Sequence, residues 1–95
     1  MEKSIYAEEY RLFVAALREI RKSAGVTQIE LAARLNVKQA FVSKCEGGQR
    51  RLDVIEVKNW CAALGVTMSE FIAKLEEVSR RSVIRAEGKG TDGPY

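Results

Sequence analysis

The chain has 95 residues, 46% of them apolar and 31% charged, with a net charge of +3 and no histidine. That length supports one domain with a single modest core, and the composition is that of an ordinary globular protein. No apolar run approaches the roughly 18 residues of a membrane helix, and MEKSIYAEEY lacks the apolar core of a secretory signal, so a cytoplasmic location without membrane attachment is expected.

Periodicity predicts an all-α chain of five helices. Tyr10, Phe13, Val14, Leu17, Ile20 and Ala24 recur at three-four spacing and predict a first helix from about residue 6 to Ala24, stopped by Gly25. Thr27 and Glu30 then form a capping box, in which each side chain satisfies the other residue's backbone N–H. This opens a short second helix with Leu31, Ala32 and Leu35 inward, and Asn36 tolerates the left-handed turn that follows. The third helix is expected from about Lys38 to Glu46, with Val42 and Cys45 inward and Gly47-Gly48 ending it. Asp53 and Glu56 repeat the capping box ahead of a fourth helix carrying Val57, Trp60, Cys61 and Leu64, which Gly65 closes. Thr67 and Glu70 open a fifth, with Phe71, Ile72, Leu75 and Val78 as its apolar stripe. From Ser82 the stripe fails, and the glycines and single proline of SVIRAEGKGTDGPY read as a flexible tail. The expected division is a domain over 1–81 and a tail over 82–95. Cys45 and Cys61 fall among helical core positions and read as reduced thiols acting as small apolar groups.

The outer face of the third helix poses the functional question. Lys38, Gln39, Ser43 and Lys44 give it cationic and hydrogen-bonding character, and Gln49, Arg50 and Arg51 follow directly. Across residues 38–51 four basic residues oppose Glu46 alone, a local excess equal to the net charge of the whole chain. Such a concentration fits a polyanionic partner. Two short helices joined by a tight turn, the second polar outside, form the helix-turn-helix pattern, whose second helix enters the DNA major groove. Gln39 can bond adenine twice, Lys38 and Lys44 can donate to guanine or phosphate, Ser43 can do either, and Ala40 or Phe41 can touch a thymine methyl.

TQIELAARLNVKQAFVSKCEGGQRRLDVIEVKNWCAALGVTMSEF resembles the helix-turn-helix domain of the XRE, or lambda-repressor-like, family. The resemblance lies in Thr27-Gln28, Leu31-Ala32, Val37, Val42-Ser43, Glu46 followed by glycine and a basic stretch, and ALGV at 63–66. It spans roughly residues 10 to 75 and places the helix-turn-helix core at about 27–46. It implies a five-helix DNA-binding fold with base contacts from Lys38, Gln39, Ala40, Ser43 and Lys44. Phosphate contacts would come from Gln28 at the start of the second helix and from Gln49, Arg50 and Arg51. It also pairs Arg21 with Glu46 as a partly buried ion pair tying the helices together. Three residues depart from the pattern: Lys38 stands where a serine usually caps the helix, Phe41 is bulky, and Trp60 replaces an aliphatic residue.

The expected function is therefore a sequence-specific transcriptional regulator, a repressor of prophage, plasmid or restriction-controller type. It would bind a palindromic operator on double-stranded DNA as a homodimer, with Met68, Ile72 and Leu75 candidates for the surface between copies. The alternative is an antitoxin or other protein-binding module whose C-terminal tail holds a partner. Enzymatic chemistry is not expected. There is no cysteine beside a possible base and no matched carboxylate pair, and Gly47-Gly48 lacks the lysine and hydroxyl of a P-loop. No cofactor or metal is implied.

Overall fold

The computed structural model describes the backbone of residues 5–88 and the side chains of residues 7–83. Five helices follow one another: α1 (Ile5–Ser23), α2 (Gln28–Leu35), α3 (Gln39–Glu46), α4 (Val54–Leu64) and α5 (Met68–Gly88). Among the described residues there is no strand, and no helix is long and apolar enough to cross a membrane.

The three capping boxes form as the sequence dictates. Thr27 N–H donates to Glu30 Oε1 at 2.9 Å while Glu30 N–H donates to Thr27 Oγ1 at 3.1 Å. Asp53 with Glu56 and Thr67 with Glu70 repeat the arrangement within 2.8–3.0 Å. Each box satisfies two backbone N–H groups that the helix start would otherwise leave open. Lys38 is the exception: it occupies the N-cap of α3 in extended conformation with no side-chain cap bond, since an ammonium cannot accept a hydrogen bond. The turn before it depends on Asn36 at φ 61, which lets the Val37 N–H return to the Ala32 carbonyl at 3.0 Å.

Leu17, Leu31, Val42, Cys45, Trp60, Cys61 and Phe71 are the largest fully buried side chains, so every helix contributes to one core. α1 packs along α5 and across α3, while α2 lies between α3 and α4. Two sequence expectations need correction here. Ala24 is exposed because α1 has already ended at Ser23. Ile72 is 44% exposed, because the inward row of α5 is Phe71, Leu75 and Val78 and Ile72 stands about 100° round from Phe71.

α5 also runs to Gly88, past the expected boundary at Ser82. No proline or glycine interrupts it before Gly88, and a helix already nucleated by its packed turns extends at little cost without an apolar stripe. Arg81 anchors that stretch by donating to both carboxylate oxygens of Glu19 on α1, at 2.9 and 2.8 Å. The rest of the expected tail, 89–95, lies outside the described residues. Met68 and Leu75 pack against the core, which leaves Ile72 as the exposed member of that proposed dimer surface.

Candidate nucleic-acid interface

α3 has eight residues, barely two turns, and its sides divide by the helical period. Val42 and Cys45 are fully buried and Glu46 is buried beside them. Gln39, Ala40, Ser43 and Lys44 form two adjacent i, i+4 rows on the opposite side, all exposed, with Lys38 exposed just ahead of them. α3 thus presents a continuous polar and cationic strip. Lys38 and Lys44 have no ion-pair partner among the described residues, so their charges stay available to an anion.

Beneath the strip runs a chain of hydrogen bonds that reaches the protein interior. Arg21 Nε and Nη2 donate to the two oxygens of Glu46 at 2.7 and 3.0 Å, and Nη1 donates to the Val26 carbonyl at 2.8 Å. The side chains of this pair are only 9% and 2% exposed. Glu46 Oε1 also accepts from Gln28 Nε2 at 2.9 Å, and Gln28 Oε1 accepts from Gln39 Nε2 at 2.9 Å. The directions follow from chemistry. A carboxylate only accepts, so Gln28 must turn its NH2 toward Glu46 and its oxygen toward Gln39, which must then answer with its own NH2. Among the described residues Gln39 is left with a free carbonyl oxygen and one free N–H, and Gln28 with one free N–H. That acceptor and donor on Gln39 are the two groups that can pair with N6 and N7 of adenine.

The loop after α3 carries the second basic cluster. Its turn is a Schellman arrangement, with Gly48 at φ +83, its N–H on the Cys45 carbonyl at 3.2 Å, and Gln49 N–H on the Lys44 carbonyl at 2.9 Å. Gln49, Arg50 and Arg51 are all exposed. Arg51 lies over the Tyr10 ring, 4.1 Å from the centroid, without an ion-pair partner among the described residues. Tyr10 also accepts from the Leu52 N–H at 3.2 Å, so the start of α1 supports this loop. Arg50, expected to contact phosphate, is bonded within the protein. Its Nη1 and Nη2 donate to Glu56 Oε1 and Oε2 at 3.0 and 2.9 Å, and Nη1 also bonds the Arg51 carbonyl. The Arg50 bond holds the Glu56 carboxyl below the usual carboxylate range, helped by the Asp53 N–H, and Glu56 in turn raises the already high pKa of Arg50.

Glu56 and Tyr10 are thus parts of the site that sequence reading did not assign to it. Glu56 was legible only as a capping residue, because no periodic rule links positions across a loop. The thiols of Cys45 and Cys61 are buried and pushed up by that burial, in keeping with core roles. Among the described residues no cluster of side chains could hold a metal ion.

The sequence model of the helix-turn-helix family matches residues 17–71, from the middle of α1 to the start of α5. Control protein C.MunI from Mycoplasma sp. is 27% identical over 62 residues, covering 64% of this chain and 84% of that protein. An uncharacterised HTH-type transcriptional regulator, y4dJ, of Sinorhizobium fredii is 34% identical over 58 residues, covering 61% and 75%. Among solved structures, an XRE-family like protein from Pseudomonas syringae pv. tomato superposes with a TM-score of 0.69 at 45% identity, over 77% of this chain and 89% of that one. The clp gene regulator ClgR of Corynebacterium glutamicum superposes with a TM-score of 0.71 at 23% identity, over 85% and 87%, a likeness of fold. With the family match over more than half its length, the chain belongs to the XRE-type helix-turn-helix family of DNA-binding transcriptional regulators.

Proposed function

We propose that the protein is a sequence-specific repressor of prophage, plasmid or restriction-controller type, acting as a homodimer on a palindromic operator. The observation that carries the reading is the exposed Gln39 amide, fixed in orientation by Gln28 and, through it, by the buried Arg21–Glu46 pair. A surface glutamine with no task has no need of so directed a support. In this reading Gln39 reads adenine, Lys44 and Lys38 donate to guanine or to nearby phosphate, and Ser43 and Ala40 fill the groove between them. Gln28 with its remaining N–H, Gln49 and Arg51 hold the phosphates on either side. A controlling role is favoured by the likeness to a protein named as a control protein. A dimer follows from the reach of one short helix, which covers too few bases for useful specificity, so that two copies would read half-sites about one DNA turn apart.

Selection of bound duplexes from a random pool tests this. The expected product is an inverted repeat, with sequence preference lost in the double variant Gln39→Ala, Lys44→Ala while weak salt-sensitive binding persists. A pool that yields no enriched sequence, or a double variant with undiminished preference, refutes the assignment.

A further inference from the structure

Phe41 on α3 and Glu56 on α4 face the same cleft of about 160 Å3, which Leu35, Leu52 and Trp60 also line. α3 packs on α1 and α2, but α3 and α4 are not among the extensively packed helix pairs; the cleft lies between them. Arg50 closes that gap. Its guanidinium carbon sits 4.9 Å from the Phe41 ring centroid while its two terminal nitrogens grip the two Glu56 oxygens. Glu56 is itself fixed, because Oε1 also accepts the Asp53 N–H that starts α4. One cation therefore sits over the Phe41 ring of α3, bonds its own loop at the Arg51 carbonyl, and locks onto the first turn of α4.

The geometry points to Arg50 as a positioning residue: the Arg50–Glu56 clasp sets the distance between α3 and α4 across the cleft and thereby the register of Gln39 and Lys44 against base edges. The inference rests on the DNA reading above and reassigns Arg50 within it. A fork that must match two oxygens while its carbon sits over a ring is a task for arginine, whereas a phosphate contact needs only a point charge and tolerates lysine. The pair is partly exposed, with side chains 43% and 32% accessible, so it adds little to folding stability and its variants remain folded. Glutamine at position 56 keeps the capping box, since that motif accepts either residue.

The test uses the full chain as wild type, Arg50→Lys, Arg50→Ala and Glu56→Gln, titrated over a range of salt against the selected operator and a scrambled duplex. All three variants are expected to lower the ratio of specific to non-specific affinity by at least about fivefold, the small end of the range for a lost base contact. The slope of log affinity against log salt is expected to stay at the wild-type value in Arg50→Lys. If Arg50→Lys matches wild type while Arg50→Ala weakens both duplexes alike and lowers the slope by about 0.9, Arg50 is a phosphate contact and the clasp is overturned. Tighter binding of both duplexes by Glu56→Gln also overturns it, since Glu56 would then be restraining Arg50 from DNA. Failure of the wild type to distinguish any duplex would sink the DNA reading, and is visible before any variant is compared. The clasp is read separately in the free protein: the Phe41 ring and Gln39 amide resonances should move alike in Arg50→Lys and Glu56→Gln, and unmoved resonances would refute it.

Discussion

Arg21→Met is expected to destabilise the fold far more than the similar size of the two side chains suggests. Methionine fills most of the vacated volume, so little of the cost is a cavity. What disappears is the compensation of a buried charge. Arg21 supplies two bonds to Glu46 and one to the Val26 carbonyl, and Glu46 is only 2% exposed. Breaking one side of a buried ion pair costs about 3–5 kcal/mol. Gln28 still donates to Glu46 at 2.9 Å, which places the expected loss near the lower end, about 3–4 kcal/mol. For a domain of this size each kcal/mol lowers Tm by roughly 4–8 °C, so the melting point should fall by roughly 12–32 °C. Urea unfolding followed by the fluorescence of the buried Trp60 measures this as a shift in midpoint at constant slope. The double variant Arg21→Met, Glu46→Leu removes the charge altogether and should recover most of the loss, because an apolar replacement of a buried pair is often neutral. A single variant within about 1 kcal/mol of wild type, the worth of an exposed pair, would refute the argument. A double variant no more stable than the single would refute it equally.

Gly48→Ala should cost about 1–2 kcal/mol in the same assay, since φ +83 is unfavourable for an L residue although its Cβ would meet nothing within 4 Å; Gly48→Asn should cost less. Acid should weaken the fold through Glu56, held low by Arg50 and the Asp53 N–H, and through Glu30, held low chiefly by the Thr27 N–H. Because both folded values lie below the unfolded ones, their contribution is complete above about pH 5 and is lost as pH falls through the lowered values. Glu30→Gln with Glu56→Gln should flatten that part of a stability-against-pH curve, and an unchanged curve would contradict the assignment. Cys45 and Cys61 should resist a thiol-modifying reagent in the native state and react together on unfolding, as buried thiols with raised pKa.

The helices and their starts were readable from residue order alone, because those signals are local. Thr27 with Glu30, Asp53 with Glu56, and Thr67 with Glu70 are capping pairs three residues apart, and their bonds form within one helical turn. The outward strip of α3 was equally legible, since a period of 3.6 residues separates Gln39, Ala40, Ser43 and Lys44 from Val42 and Cys45. The resemblance placed Arg21 beside Glu46, and their proximity in space agrees with that placement. α5 continues past Ser82, where its apolar stripe ends, because such a stripe marks where a helix packs, and a helix persists beyond its packed face when no breaker intervenes.

Which polar groups meet across the chain depends on how the helices pack. Gln28 and Gln39 are eleven residues apart, Gln28 and Glu46 eighteen, and Arg50 and Glu56 six across a loop. No periodic rule governs such separations; they depend on how α2, α3 and α4 cross and on where the chain turns at Asn36 and Gly48. Residue type announced a polar surface, but whether each donor faces outward or is already engaged is set by packing. For that reason Lys44 and Arg50, both exposed cations in one short stretch, have different tasks in our reading.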